Sequence, residues 1–131
     1  MDYRALNELS ESSGWPIPNI KQLLNNIGQH QPKYFAVLDL TSGYYQAPLA
    51  QDSRDLIAFI THMGMYEWTR VPMGAKGAPP YFQYQMVNTV FTGLIHTICE
   101  VYLDGIIIWG DSINQLSTRL EQILQRAENL I

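Results

Sequence analysis

Ile98 to Gly110 reads ICEVYLDGIIIWG, and this stretch decides the fold. Two apolar runs rich in strand formers flank Asp104-Gly105. An Asp-Gly pair between hydrophobic runs is the strongest short hairpin signal, because a type I′ turn needs positive φ at both central residues. The stretch therefore predicts two buried strands turning at Asp104-Gly105. It also places an acid at a tight turn inside apolar sequence.

Working outward, Tyr34 to Leu40 (YFAVLDL) is a second apolar run bounded by Pro32 and Gly43, and it predicts a buried strand. It carries one acid, Asp39, near its end. Leu56 to Thr61 and Met65 to Val71 predict a hairpin around His62-Met63-Gly64. VPMGAKGAPP (Val71–Pro80) is a Gly/Pro loop. It leads into a helix over Tyr81 to Leu94, where Phe82, Met86, Val90 and Leu94 recur every fourth residue. Ile20, Leu23, Leu24 and Ile27 mark a short amphipathic helix, with Pro18 in its first turn and Gly28 at its C-terminal cap. Ser112 to Ile131 predicts a long helix from the spacing of Ile113, Leu116, Leu120, Ile123, Ala127 and Leu130, capped by Asp111 or Ser112. Met1 to Gly14 is polar and weakly periodic. The order helix, strand, hairpin, helix, hairpin, helix is an α+β chain with an antiparallel sheet covered by helices on one face.

Composition excludes several classes. The 131 residues suit one domain or part of one, and 47% hydrophobic content excludes disorder as the main state. No apolar run approaches the roughly 18 residues of a membrane span. The N-terminus is no secretory signal, so a cytoplasmic or nuclear protein is expected, not a secreted one. The one cysteine, Cys99, excludes an intramolecular disulfide and a cysteine-rich zinc site. His30, His62 and His96 lack ligand spacing. With 8 Lys and Arg against 12 Asp and Glu, the net charge is −4. A self-sufficient nucleic-acid binder normally carries a basic face.

Two acids stand out. An acid in a core strand is unusual unless paired or metal-bound. Two carboxylates at one end of a sheet would hold divalent cations and could serve phosphoryl transfer. On spacing alone, Asp104 fits a plain turn residue as well, and Asp39 a strand-end acid facing solvent.

DYRALN (Asp2–Asn7), WPIPNIKQLL (Trp15–Leu24), YFAVLDLTSGYYQ (Tyr34–Gln46), FITHMGMYEWTRVPMGAKGAPPYFQYQM (Phe59–Met86) and EVYLDGIIIWG (Glu100–Gly110) occur in this order. Together they resemble the reverse transcriptase of gypsy-type LTR retrotransposons and, more distantly, that of retroviruses, over nearly the whole chain. The resemblance implies a polymerase-palm-like core, truncated at both ends: residues 1–33 and about 52–72 on the fingers side, 34–51 and 73–131 in the palm. It implies Asp39 and Asp104 as catalytic metal ligands, assisted by the Leu40 carbonyl, for two Mg²⁺ ions with Mn²⁺ as the alternative. Ser42 and Gly43 would face the nucleotide triphosphate, and Tyr44 would be the steric gate against a ribose 2′-hydroxyl. Met73 and Gly74 would lie under the nucleotide and template. Lys76 is a phosphate contact or a surface lysine, Tyr102 would sit beside the primer end, and Arg4 would touch the template. The implied partners are an RNA or DNA primer–template, deoxynucleoside triphosphates, and the thumb, connection and RNase H parts of a retroelement polyprotein. No membrane partner is implied.

Gly105 departs from the family motif, which has a second aspartate there. Glycine reaches positive φ without strain, so the turn is expected to be at least as stable. The exchange also removes repulsion among clustered carboxylates, and leaves two acids rather than three to balance two cations. The expected chemistry is templated addition of deoxynucleotides to a primer 3′-hydroxyl, impaired by Gly105 and by the missing thumb. The alternative is a catalytically inactive retroelement remnant or an RNA- or protein-binding module. The ordered motifs make an unrelated α+β interaction domain remote.

Overall fold

The computed structural model describes residues 1–12 and 14–128. Its helices and strands are, in chain order, α1 (Arg4–Leu9), α2 (Ile20–Gln29), β1 (Tyr34–Asp39), α3 (Gly43–Gln46), β2 (Phe59–Thr61), β3 (Gly64–Tyr66), α4 (Ala78–Gln85), β4 (Cys99–Tyr102), β5 (Gly105–Gly110) and α5 (Ile113–Glu128). The most apolar run, β5, is the central strand of an antiparallel sheet ordered β1-β5-β4. A strand buried between two neighbours can use a continuous hydrophobic run, because both of its edges are paired and side chains leave from both faces.

Register follows the alternation of side chains. Ala36 pairs with Ile108 and Leu38 with Ile106, while on the other side Cys99 pairs with Ile108 and Val101 with Ile106. These side chains share one face. Helices α4 and α5 cover it, and Phe82, Met86, Phe91 and Ile123 complete the buried cluster. Each such large side chain contributes on the order of 1.5–3 kcal/mol when fully buried. The opposite face carries Phe35, Val37 and Asp39 of β1, all exposed. At its far end α2 brings His30 against Trp109, ring centroids 5.0 Å apart.

The expected helix over Tyr81 to Leu94 starts earlier and ends earlier. Pro79 and Pro80 lie in the first turn of α4, where their missing N–H groups cost nothing. The following residues, Met86–Val90, form one wide π-type turn, closed by the Phe91 N–H donating to Met86 O at 2.9 Å. A strict period of four overshoots the 3.6 residues of an α-helix. The wider turn takes up the excess, so Phe82, Met86 and Val90 all stay on the core.

Helix α5 packs on the core through Leu116, Leu120, Ile123 and Ala127, whereas Ile113 is exposed. Leu130 lies outside the described residues. Ser112 caps this helix by accepting from Gln115 N, and Gln115 Oε1 accepts in return from Asp111 N. Its arginines tie it to both neighbours: Arg119 donates to Trp109 O of β5 at 2.8 Å, and Arg126 to Val90 O of the wide turn after α4 at 3.2 Å.

Elsewhere the structure corrects local expectations. The cap of α2 is Asn19, whose Oδ1 accepts from Lys21 N, so Pro18 precedes the helix. Gly28 lies inside the last turn of α2, and Gln31 takes the left-handed conformation that ends the segment (φ 47°). The β2–β3 hairpin is short, with Thr61 opposite Gly64 across a two-residue His62-Met63 turn. Residues 69–71 pair instead with 47–49, through Leu49 N to Thr69 O and Val71 N to Ala47 O. The polar N-terminal stretch does form a helix, α1. Long-range bonds hold it there, and local periodicity does not reveal them. Among the described residues no helix is long and apolar enough to cross a membrane.

Cys99 sits at the base of the core with no exposure, its thiol donating to Leu94 O at 3.6 Å. Burial first, then the neighbouring Glu100 charge, push the thiol from an ordinary 9.0 up to about 12. In the folded chain it should react with a disulfide reagent at pH 8 about a hundredfold or more slower than in urea. The unfolded thiol ionises above about 9 while the folded one stays protonated, so this group's contribution to stability should fall as pH rises past that point. Thiol labelling and urea titrations at pH 8 and 10 measure both effects.

Candidate active site

The register places the acids. Asp39 ends β1 directly opposite Gly105, and the next residue, Leu40, donates its N–H to Asp104 O at 2.9 Å. Both acids therefore stand at one end of the sheet, Asp39 exposed and Asp104 partly buried. Tyr102 ends β4, also opposite Gly105 and also exposed. Alternation puts Asp39, Gly105 and Tyr102 on the face away from α4 and α5.

The turn itself differs from the expectation. Tyr102 pairs with Gly105, so the two loop residues are Leu103 and Asp104. The left-handed residue is Leu103 (φ 55°), and Gly105 is not among the glycines at positive φ. Gly105 is therefore a strand residue and does not relieve turn strain. A Cβ built on it would meet only Tyr102 O, at an ordinary 3.5 Å. The position has room for a Cβ.

A non-glycine residue in the left-handed region costs energy unless its surroundings hold it. Gln83 of α4 does so. It is fully buried, its Nε2 donates to Val101 O at 3.0 Å, and its Oε1 accepts from Leu103 N at 2.6 Å. No sequence expectation singled out Gln83. Its signal was a polar residue beside Phe82 on the core face of α4.

The segment after β1 closes over the turn. Ser42 adopts the left-handed conformation (φ 53°) and opens the short helix α3. Gly43 is buried beneath it, and a Cβ there would lie 3.0 Å from the Phe82 ring and 3.3 Å from Asp104 Cβ. Glycine is thus needed for close approach. Tyr44 follows, half-buried, its ring edge-on to Phe82 at 5.3 Å. Burial raises the Tyr44 phenol above its ordinary value of 10.0, and the nearby Asp104 and Tyr102 add to this. Its hydroxyl stays protonated at neutral pH. Tyr45 stacks on Trp68 at 5.5 Å and ties α3 to the strand-flanking segment.

The remaining expected residues form a second group around α1. Gly74 takes positive φ (94°). Its carbonyl accepts from Asn7 Nδ2 at 2.9 Å, Asn7 Oδ1 accepts from Lys76 N at 2.8 Å, and Lys76 Nζ donates to Ser10 O at 3.0 Å. Lys76 thus pins the glycine loop to α1. Met73 is exposed beside it. Arg4 is exposed, its Nε donating to both Asp2 oxygens at 2.9 Å, which holds the Asp2 carboxyl below the usual range. The loop containing Met73, Gly74 and Lys76 continues into α4, and α4 is the element that reaches both groups.

Among the described residues no three His, Cys, Asp or Glu side chains stand ready as a metal cage. Two carboxylates and a backbone carbonyl are hard oxygen donors. They suit Mg²⁺, which is commonly held by one or two carboxylates together with substrate phosphates.

Three antiparallel strands, helices across one face and an acid-bearing two-residue turn are the architecture of a polymerase palm. The model for the family described as "Reverse transcriptase (RNA-dependent DNA polymerase)" matches residues 1–130, and the chain belongs to that family. It is 38% identical over 115 residues to the retrovirus-related Pol polyprotein from transposon 297 of Drosophila melanogaster, covering 88% of this chain and 11% of that protein. With the Pol polyprotein from transposon gypsy of the same species it shares 34% over 125 residues, 95% of this chain and 12% of the relative. The chain spans about a tenth of the length of these relatives. The structure of the foamy viral protease-reverse transcriptase in complex with an RNA/DNA hybrid superposes with a TM-score of 0.87 at 25% identity, covering 98% of this chain and 17% of that one. The native prototype foamy virus protease-reverse transcriptase gives 0.85 at 25% identity, with the same two coverages.

Gly43→Ala should cost about 1–3 kcal/mol, because the Phe82 ring and the turn must move; urea unfolding measures it. Gln83→Leu removes a donor and an acceptor from buried backbone and should cost about 1–3 kcal/mol for each group left unpaired. Amide exchange at Leu103 should accelerate in that variant. Unchanged exchange there would show that Gln83 does not hold the turn.

Proposed function

We propose that this chain supplies the palm of a templated DNA polymerase, in which a primer 3′-hydroxyl attacks the α-phosphate of a deoxynucleoside triphosphate and pyrophosphate leaves. The observation that carries the reading is the Leu40 N–H to Asp104 O bond. It joins the residue after Asp39 to Asp104 and so gathers both acids at one sheet end. Catalysis of this type is mainly positioning and electrostatics. Asp39 and Asp104 are the metal-holding carboxylates, with the Leu40 carbonyl as third donor. Two divalent cations, Mg²⁺ or Mn²⁺, would there polarise the attacking hydroxyl and neutralise charge on the triphosphate.

The other roles follow from placement. Ser42 and Gly43 present backbone to the triphosphate. Tyr44, fixed edge-on by Phe82, fills the space of a ribose 2′-hydroxyl. Tyr102, exposed beside Gly105, meets the primer end. Met73 and Gly74 underlie the nucleotide and template. Lys76 is a structural clamp on α1, and its ammonium keeps its charge and two further donors for phosphate. Arg4 lies on the template side. In domain terms 1–33 and about 52–72 belong to the fingers, and 34–51 and 73–131 to the palm. The partners are a primer–template and the remaining segments of a retroelement polyprotein.

Gly105 favours a second reading, a palm that binds but does not catalyse. One experiment separates the two. This segment is grafted in place of the matching part of the transposon 297 polyprotein, and primer extension is followed with Mg²⁺. Gly105→Asp should lower folding stability by up to about 1 kcal/mol, since the new carboxylate faces Asp39 across the strand pair, and should raise nucleotide incorporation about tenfold or more. Adding Asp39→Asn should abolish the gain. A Gly105→Asp graft that binds primer–template yet incorporates nothing would establish the non-catalytic reading.

A further inference from the structure

A cleft of about 740 Å³ lies between α2 and β4, lined among others by Trp15, Asn26, Gln29, His30, His96 and Glu100. Glu100 is the feature that sets it apart. It is a β4 residue with 1% exposure, and no part of the proposed chemistry uses it. Its Oε1 lies 2.7 Å from His96 Nδ1. Its Oε2 is buried with no hydrogen-bond partner.

His96 is held in place for its contact. It sits in the left-handed conformation (φ 65°), with its N–H donating to Cys99 O at 2.9 Å. A buried carboxylate oxygen without a donor is costly, more so than a neutral group. Carboxyl groups rotate easily about their last torsion. For a donor in the cleft to reach Oε2 the carboxyl must turn about that torsion, which moves Oε1 as well, so the ligand competes with His96 for the carboxylate.

We propose that this cleft binds a small molecule bearing a guanidinium group, whose N–H groups pair with Glu100. The lining contains no lysine or arginine, and Glu100 is its only acid. His96 faces one oxygen of the Glu100 carboxylate, and no cation of the lining faces the other. Guanidinium is planar and weakly hydrated, it fits carboxylate oxygens, and it stacks on flat rings. The side-chain oxygens of Asn26 and Gln29, which line the cleft, can accept the remaining N–H groups. Glu100 and Tyr102 are alternate residues of β4, so the ligand would sit roughly 7 Å along the strand from the end of β4.

The test is calorimetric titration of the 131-residue chain with agmatine, and with N-carbamoylputrescine, which replaces the guanidinium by a neutral ureido group. Agmatine should bind saturably and at least about tenfold more tightly than the ureido analogue, as expected for a charge-assisted pair. Glu100→Gln should remove that discrimination. Glu8→Gln, an equal charge change on exposed α1, should keep it. The comparison of two ligands on the unaltered chain stands even if Glu100→Gln fails to fold. Equal binding of the two ligands, no saturable binding, or discrimination retained in Glu100→Gln would overturn the proposal. None of those outcomes bears on the polymerase reading.

Discussion

The position of β5 between β1 and β4 governs everything else in this molecule. Its register is held by burial, because a slip of one residue would turn Ile106 and Ile108 out of the core and bring Ile107 and Gly105 in. That same register sets Asp39 opposite Gly105 and brings Tyr102 to the same rung. Functional geometry is thus inherited from hydrophobic packing. The acids need no direct bond to each other. They are neighbours because the isoleucines of β5 can be buried in only one way.

Much of this was legible in the sequence because it rests on periodicity and composition. The runs around Asp39 and Asp104 read as strands, and they are strands. The spacing of Leu116, Leu120, Ile123 and Ala127 read as a helix face, and it packs on the core. The failures share a physical origin. Asp-Gly suggested a turn centred on itself, yet the loop residues are Leu103 and Asp104. The left-handed residue is a leucine held by Gln83 from another helix, and local propensity carries no trace of such a partner. Helix α1 was missed for the same reason, since Asn7 and Lys76 tie it to a loop almost seventy residues away. The strict period of four over Phe82 to Leu94 was visible, but the wide turn it requires was not inferred.

Of the candidate site, the segment after β1 packs on the turn, through Leu40 N to Asp104 O, Gly43 against Asp104 Cβ and Tyr44 against Phe82. The outlying expectations changed character. Lys76 makes a structural bond to Ser10, and Arg4 is engaged by Asp2. Both are long, flexible cations whose partners depend on what else is nearby, so their roles are least determined by sequence position. The net charge of −4, which set the chain apart from ordinary nucleic-acid binders, sits beside a site whose proposed chemistry requires acids.

Gly105 bears on how such a protein can change over time. The strand residue opposite Asp39 supports neither the turn nor the core, so a carboxylate there would act on the fold mainly through its charge facing Asp39. Packing and charge are therefore under separate constraint at this position. A side chain here can come or go without repacking the core, and its cost is electrostatic.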